Sequence, residues 1–227
     1  MVPIACYADY LHNLMEIGFG LSGDNGEDVF SFAPYYTNAI HWHTGDEETD
    51  PWEWRMRLLH EYQDIAYGKL FFNKSGMITK EWYPYFLAVR RGADGFEDAY
   101  YAGNISNLGK RIYEVIEKNG PMQPHQIKAA ANLSKEERAK FGRTITQLQM
   151  QLFITTNGYQ RKRSNMGLEY GWETSVFCTP EQQFGERFVL QAAEISAEEA
   201  QDVIAEQIYT FNPQANEKKV RQFILGK

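Results

Sequence analysis

The stretch 140–177, KFGRTITQLQMQLFITTNGYQRKRSNMGLEYGWETSVF, changes its hydrophobic period halfway along. In its first part Phe141, Ile145, Leu148 and Leu152 fall in one arc at about 100° per residue, which predicts a helix from about Lys140 to Leu152. Arg143, Thr144, Gln147, Met150 and Gln151 fall on the other side of that helix and are expected to face outward. From Phe153 the pattern becomes extended and runs through Arg163, turns at Ser164-Asn165-Met166-Gly167, and returns from Leu168 to Phe177. The Tyr, Trp, Thr and Val of the return segment favour a strand.

Two further helices precede this unit. Leu108, Ile112, Val115 and Ile116 share one helical face that Asn119-Gly120-Pro121 ends. Pro124 then opens a second helix whose narrow apolar side is Ile127, Ala130 and Ala131. Three helices followed by a hairpin is the order of a winged helix, in which the third helix enters the major groove and the hairpin, or wing, lies along the backbone. The expected class is α+β. A winged-helix domain covers 103–185, an aromatic-rich acidic N-terminal α+β module, readable as a degenerate winged helix, covers 1–98, and C-terminal helices fill 186–227.

In the N-terminal module, Tyr10, Leu11, Leu14 and Met15 predict a helix over Tyr7–Ile17 that Gly18 and Gly20 end. The segment 21–49 reads as irregular, with at most one strand around Val29 to Phe32. Asp50-Pro51-Trp52-Glu53 supplies an N-cap, a proline at the first helical position and an acid at the third, so a helix runs to about Gln63. Ile65 to Phe72 and Met77-Ile78 flank a turn-forming group, Asn73-Lys74-Ser75-Gly76. Pro84 opens a helix that closes at Arg90-Arg91 with Gly92, and 92–103 reads as a boundary loop. Near the other end, Ser196-Ala197-Glu198-Glu199 forms a capping box for a helix to about Tyr209, and a last helix spans Glu217 to Leu225.

A chain of 227 residues, 43% hydrophobic and 23% charged, excludes disordered, collagen-like and disulfide-scaffold classes. Cys6 and Cys178 match no zinc or CxxC spacing, which points to a reducing cytoplasm. The longest apolar run, Trp82 to Val89, is interrupted by Pro84, and the first twenty residues carry Asp9 and Glu16 without a basic start. Neither a membrane partner nor a signal peptide is expected. No Ser-His-Asp set, phosphate-binding glycine loop or dinucleotide fingerprint occurs, so no cofactor is expected.

The net charge of -7 is unevenly distributed. Residues 1–60 hold ten acids against only Arg55 and Arg57, whereas 103–178 hold eleven bases against six acids. A basic module in an acidic chain points to duplex DNA as partner, a solvated surface with a chance gradient being the plain alternative. The expected DNA-binding residues are Arg143, Gln147 and Gln151, spaced to reach base edges, and Arg161, Lys162 and Arg163, placed for phosphates. The same residues could merely solvate a module that binds protein, and the opposed charges of the two halves motivate that protein-partner reading.

Trp52-Glu53-Trp54-Arg55, Tyr67-Gly68-Lys69, Glu81-Trp82-Tyr83-Pro84-Tyr85-Phe86 and the block through Gly171-Trp172 resemble the AlkZ-related bacterial proteins, distant relatives of the AlkZ and YcaQ winged-helix DNA glycosylases. The resemblance spans about residues 7–185. It implies tandem winged-helix modules and a role near DNA in alkylation or crosslink repair. Those glycosylases carry a Gln-x-Gln or Gln-x-Asp pair that positions the attacking water. Gln147-Leu148-Gln149 and Gln149-Met150-Gln151 fit the spacing but lie in the third helix of the late module, not in the N-terminal part. The reading therefore leans to DNA binding without catalysis. A glycosylase-like hydrolase of modified bases and a non-enzymatic interaction module are the alternatives, and the sequence sets no oligomeric state.

His41-Trp42-His43 with Asp46, Glu47, Glu48 and Asp50 offers donors for a metal, but the acidic loop serves equally as support for the following helix cap, and no metal is assigned. Trp52, Trp54, Tyr67 and Trp82 are expected in the N-terminal core. An aromatic pocket flanked by Glu53 or Asp50 would be the second place to look for a base.

Overall fold

The computed structural model describes residues 1–24, 26, 29–92, 95–164 and 166–227. Helix α1 (Tyr7–Ile17) ends at Gly18, whose left-handed backbone lets its N–H return to Leu14 O. Strand β1 (Phe19–Leu21) follows, then an irregular segment whose Val29, Phe30 and Phe32 are buried without forming a strand. Helix α2 (Pro51–Glu61) starts as its sequence dictates, with Asp50 Oδ1 accepting the Trp52 N–H at 2.8 Å.

Strands β2 (Ile65–Phe71) and β3 (Lys74–Thr79) form a hairpin. Its turn is the pair Phe72-Asn73, both at positive φ, rather than the group Asn73 to Gly76, because two-residue turns of this hand match the twist of the strands. Helix α3 (Tyr83–Arg90) covers the sheet with Phe86 and Leu87. The expected boundary loop at 92–103 contains a helix instead, α4 (Phe96–Tyr101). It forms because Phe96 stacks on Tyr113, with ring centroids 3.7 Å apart. Burial of such a ring contributes about 1.5–3 kcal/mol, enough to order one short helix.

Helices α5 (Asn107–Asn119), α6 (Pro124–Ala130) and α7 (Lys135–Met150) lead into strands β4 (Thr155–Arg163) and β5 (Glu169–Cys178). Helix α7 begins five residues before the expected Lys140. Ser134 caps it and Glu137 returns the bond to the Ser134 N–H, a capping box that the apolar period does not reveal. The short helices α8 (Pro180–Phe184) and α9 (Glu186–Gln191) connect to α10 (Ala197–Phe211) and α11 (Glu217–Leu225).

One antiparallel sheet of order β1-β3-β2-β4-β5 crosses the molecule, and β2 meets β4 through the single pair Tyr67 and Thr156. Two apolar cores flank that junction. The first gathers α1, the first three strands, α2 and α3, and takes in Ile204, Ile208, Val220 and Phe223 from the C-terminal helices. Phe223 stacks on Phe71 with ring centroids 3.8 Å apart. The second core gathers Phe96, Ile112, Ile116, Ile127, Phe141, Leu148 and Phe177.

Arg90 binds these parts together. Its buried guanidinium donates to Leu70 O, Met150 O, Phe223 O and Ile224 O at 2.8–2.9 Å. Met150 is the last residue of α7, and Phe223 and Ile224 close α11, so the cation sits where two helix dipoles point their negative ends.

Candidate nucleic-acid interface

The outward side of α7 divides. Arg143 is exposed, whereas Gln147 and Gln151 both donate through Nε2 to Asn104 O, at 3.2 and 3.3 Å. Thr144 and Met150, expected to face outward, are 7% exposed. Helix α7 is covered by α5 on one flank and β2 on another, and Thr144 packs beside Gly109 of α5. A single-helix periodicity registers only the strongest apolar face.

The hairpin β4–β5 carries Arg161, Lys162 and Arg163. Arg161 and Arg163 are exposed and Lys162 is half-buried. Arg163 pairs with Glu169 across the hairpin at 3.1 Å, while no carboxylate pairs with Arg161 or Lys162 among the described residues. Gln123 Nε2 donates to Gln160 O at 2.7 Å, which ties the hairpin to the start of α6. Beside the cations, Trp172 is 92% and Met166 86% exposed, with Leu168 and Tyr170 also open to solvent. Asn165, within the expected turn, lies outside the described residues.

Between α7, β2 and α2 lies a cleft of about 680 Å³. Three cations line it, Arg55, Lys69 and Arg143, and no carboxylate does among the described residues. In a chain of net charge -7 that selection makes the cleft a local anion well. The Arg55 guanidinium lies 3.5 Å from the Trp52 ring centroid and donates to Tyr159 Oη at 3.0 Å. Burial, and the neighbouring Tyr67, push the Tyr159 phenol far up, so it stays neutral and accepts that bond at any ordinary pH.

Gln149 forms the floor. It is 4% exposed, and its Oε1 accepts the Lys69 N–H at 2.7 Å. Its Nε2 has no hydrogen-bond partner among the described residues, although the side chain lines the cleft. The close approach favours glycine at 68, since a Cβ there would overlap Gln149 Oε1 and push that side chain off the Lys69 N–H. Of the three glutamines in the two Gln-x-Gln pairs, only Gln149 lines this cleft, so neither pair converges on it.

In the sequence Gln149 stands out only as the shared member of the two Gln-x-Gln pairs, Arg55 and Lys69 only within the motifs of the family resemblance, and Tyr159 only beside the basic tip of the hairpin, so none of the four is marked as a cleft residue. One signal was available for Arg55, which with Arg57 makes up all the Lys and Arg of residues 1–60. Trp52, expected in the core with Trp54, is instead 42% exposed at the cleft, while Trp54 is buried and Tyr67 nearly so.

The His41 and His43 loop is exposed. His43 leans on Trp52 with ring centroids 4.9 Å apart, and Asp50 spends its other oxygen on the N–H groups of Thr44 and Gly45 at 2.7 and 3.0 Å. No group of three or more His, Cys, Asp or Glu suited to a metal occurs among the described residues. Among the same residues, no helix is long and apolar enough to cross a membrane.

A family model described as AlkZ related matches residues 4–225. That span extends beyond 7–185 and takes in the C-terminal helices. Among solved structures the chain is similar to the DNA glycosylase AlkZ of Streptomyces sahachiroi, at 12% identity and a TM-score of 0.44, over 77% of this chain and 50% of that one. The chain thus spans about half the length of that protein. No curated protein matches it.

Proposed function

The chain belongs to the AlkZ-related family, and from that premise we propose that it binds duplex DNA in a repair setting through a winged helix over 103–185. The observation that supports this most is the hairpin. It projects Arg161, Lys162 and Arg163 beside exposed Tyr170 and Trp172, directly after a three-helix unit. Phosphates would take the cations, and Arg143 would approach the duplex from α7.

Gln147 and Gln151 hold the Asn104 carbonyl and so position α7 rather than read bases. Binding without hydrolysis is the better reading of the cleft as well. Breaking a glycosidic bond calls for a carboxylate or amide beside an activated water, and the described residues lining the cleft include no carboxylate and two amides, Asn73 and a Gln149 whose Oε1 is already held by the Lys69 N–H.

The test is the affinity of the purified protein for a labelled random duplex as salt is raised. Binding that falls steeply with salt supports phosphate contact, and absence of binding at low salt refutes the proposal.

A further inference from the structure

The floor, walls and rim of the cleft differ in chemistry, and the differences are ordered. At the floor, Gln149 offers an amide Nε2 without a hydrogen-bond partner among the described residues, on a residue 4% exposed. That donor is open to the cleft and free to bond a group that enters it. The walls are rings, Tyr67 and Phe141 buried and Tyr159 half-buried. At the rim Lys69 and Arg143 are exposed, with Arg55 half-buried against Trp52, and none of the three has a carboxylate partner among the described residues. The volume falls within the roughly 300–1,000 Å³ typical of small-ligand sites.

We infer that this cleft holds an unpaired nucleotide, its base among the rings with a polar edge on Gln149 and its phosphate on Arg55, Lys69 and Arg143. An inorganic anion would use the rim alone and leave the rings and the amide without a role. A stacked base pair hides both faces and its pairing edge, so a duplex cannot supply what the floor and walls accept. The source is either an unpaired stretch of a nucleic-acid strand or a free nucleotide. The inference rests on the DNA-binding reading only for the first of these.

The experiment titrates the intact protein, followed by tryptophan fluorescence, with a thymidylate octamer, thymidine monophosphate, pyrophosphate and a duplex in parallel. The octamer is expected to bind, and equal affinity for the monophosphate assigns the free nucleotide as ligand. Gly142 lines the cleft, and a Cβ there meets nothing within 4 Å, so Gly142→Trp fills the space without disturbing the core. That variant is expected to lose octamer binding, and Arg143→Ala to weaken it by about tenfold through one lost phosphate contact. Substituting the hairpin cations should leave octamer binding unchanged. Should Gly142→Trp fail to fold, Lys69→Ala takes its place as the second rim variant. Duplex binding without octamer or monophosphate binding overturns the inference and leaves the duplex proposal standing. No binding of any probe overturns both. Pyrophosphate binding as tightly as the nucleotides overturns the role of the rings and Gln149, as does octamer affinity that no cleft variant changes.

Discussion

Gln149 Oε1 accepts the backbone N–H of Lys69 at 2.7 Å, and through that bond α7 is fastened to β2 beneath the cleft. Gln149→Leu would keep the volume but leave the Lys69 N–H without its partner, a loss of about 1–3 kcal/mol. Gly68→Ala should cost at least as much, because its Cβ would overlap the same oxygen. Urea unfolding of both variants checks this, and midpoints equal to that of the parent protein would show that the bond carries no stability.

Arg90 is a buried cation compensated by four carbonyls instead of a carboxylate. Arg90→Met would orphan those carbonyls at the ends of α7 and α11, with an expected loss of about 3–5 kcal/mol. Arg90→Lys should recover only part of this, since one ammonium cannot reproduce the spread of the guanidinium. Thermal unfolding of the two variants side by side distinguishes charge from geometry.

Asp50 is fully buried and receives N–H groups from both sides. Burial pushes its carboxyl up, but the N–H groups of Gly45, Trp52, His43 and Thr44 outweigh that and hold it below the usual carboxylate range. A depressed folded-state value means stabilisation that is present above the unfolded value, about 3.9, and lost as the pH falls through the folded one. Asp50→Ala is therefore expected to destabilise by about 1–2 kcal/mol at neutral pH. The gap between parent and variant in urea midpoint should narrow on acidification below that range. An identical gap at both pH values would contradict the account.

On the hairpin, charge and ring should separate in a salt titration. Replacing Arg161 and Lys162 by Ala is expected to weaken duplex binding for every sequence and to reduce the slope of log affinity against log salt by roughly 0.9 per lost contact. Arg163→Ala should matter less, because Glu169 already neutralises that side chain. Trp172→Ala is expected to lower affinity with the slope unchanged. A slope that none of these variants alters would remove the hairpin from the interface.

Helix α1, the Asp50 cap, the three helices of the basic half, the hairpin and both C-terminal helices were legible because each is written locally, in a cap or a period. Helix α4 was not, since what orders it is a ring of another helix, Tyr113. The cleft was illegible for the same reason on a larger scale. Arg55 and Lys69 lie on the consecutive elements α2 and β2 while Arg143 comes from the distant α7, and the three share one cleft where β2 pairs with β4. Gln147 and Gln151 lie one turn apart on α7 and share the Asn104 carbonyl, whereas Gln149, about 200° round the helix from each, turns inward to the Lys69 N–H. The helical period separates the three glutamines, but what each one meets is set by its neighbours in the fold.

The sheet is thinnest at that same place, where Tyr67 and Thr156 form the one rung between its two parts. A ribbon joined by one rung bends most easily along the joint, and the cleft lies along it. A molecule in the cleft would touch Tyr67 and Lys69 on one side of the rung and Thr156 and Tyr159 on the other, and so would act as a splint across the joint.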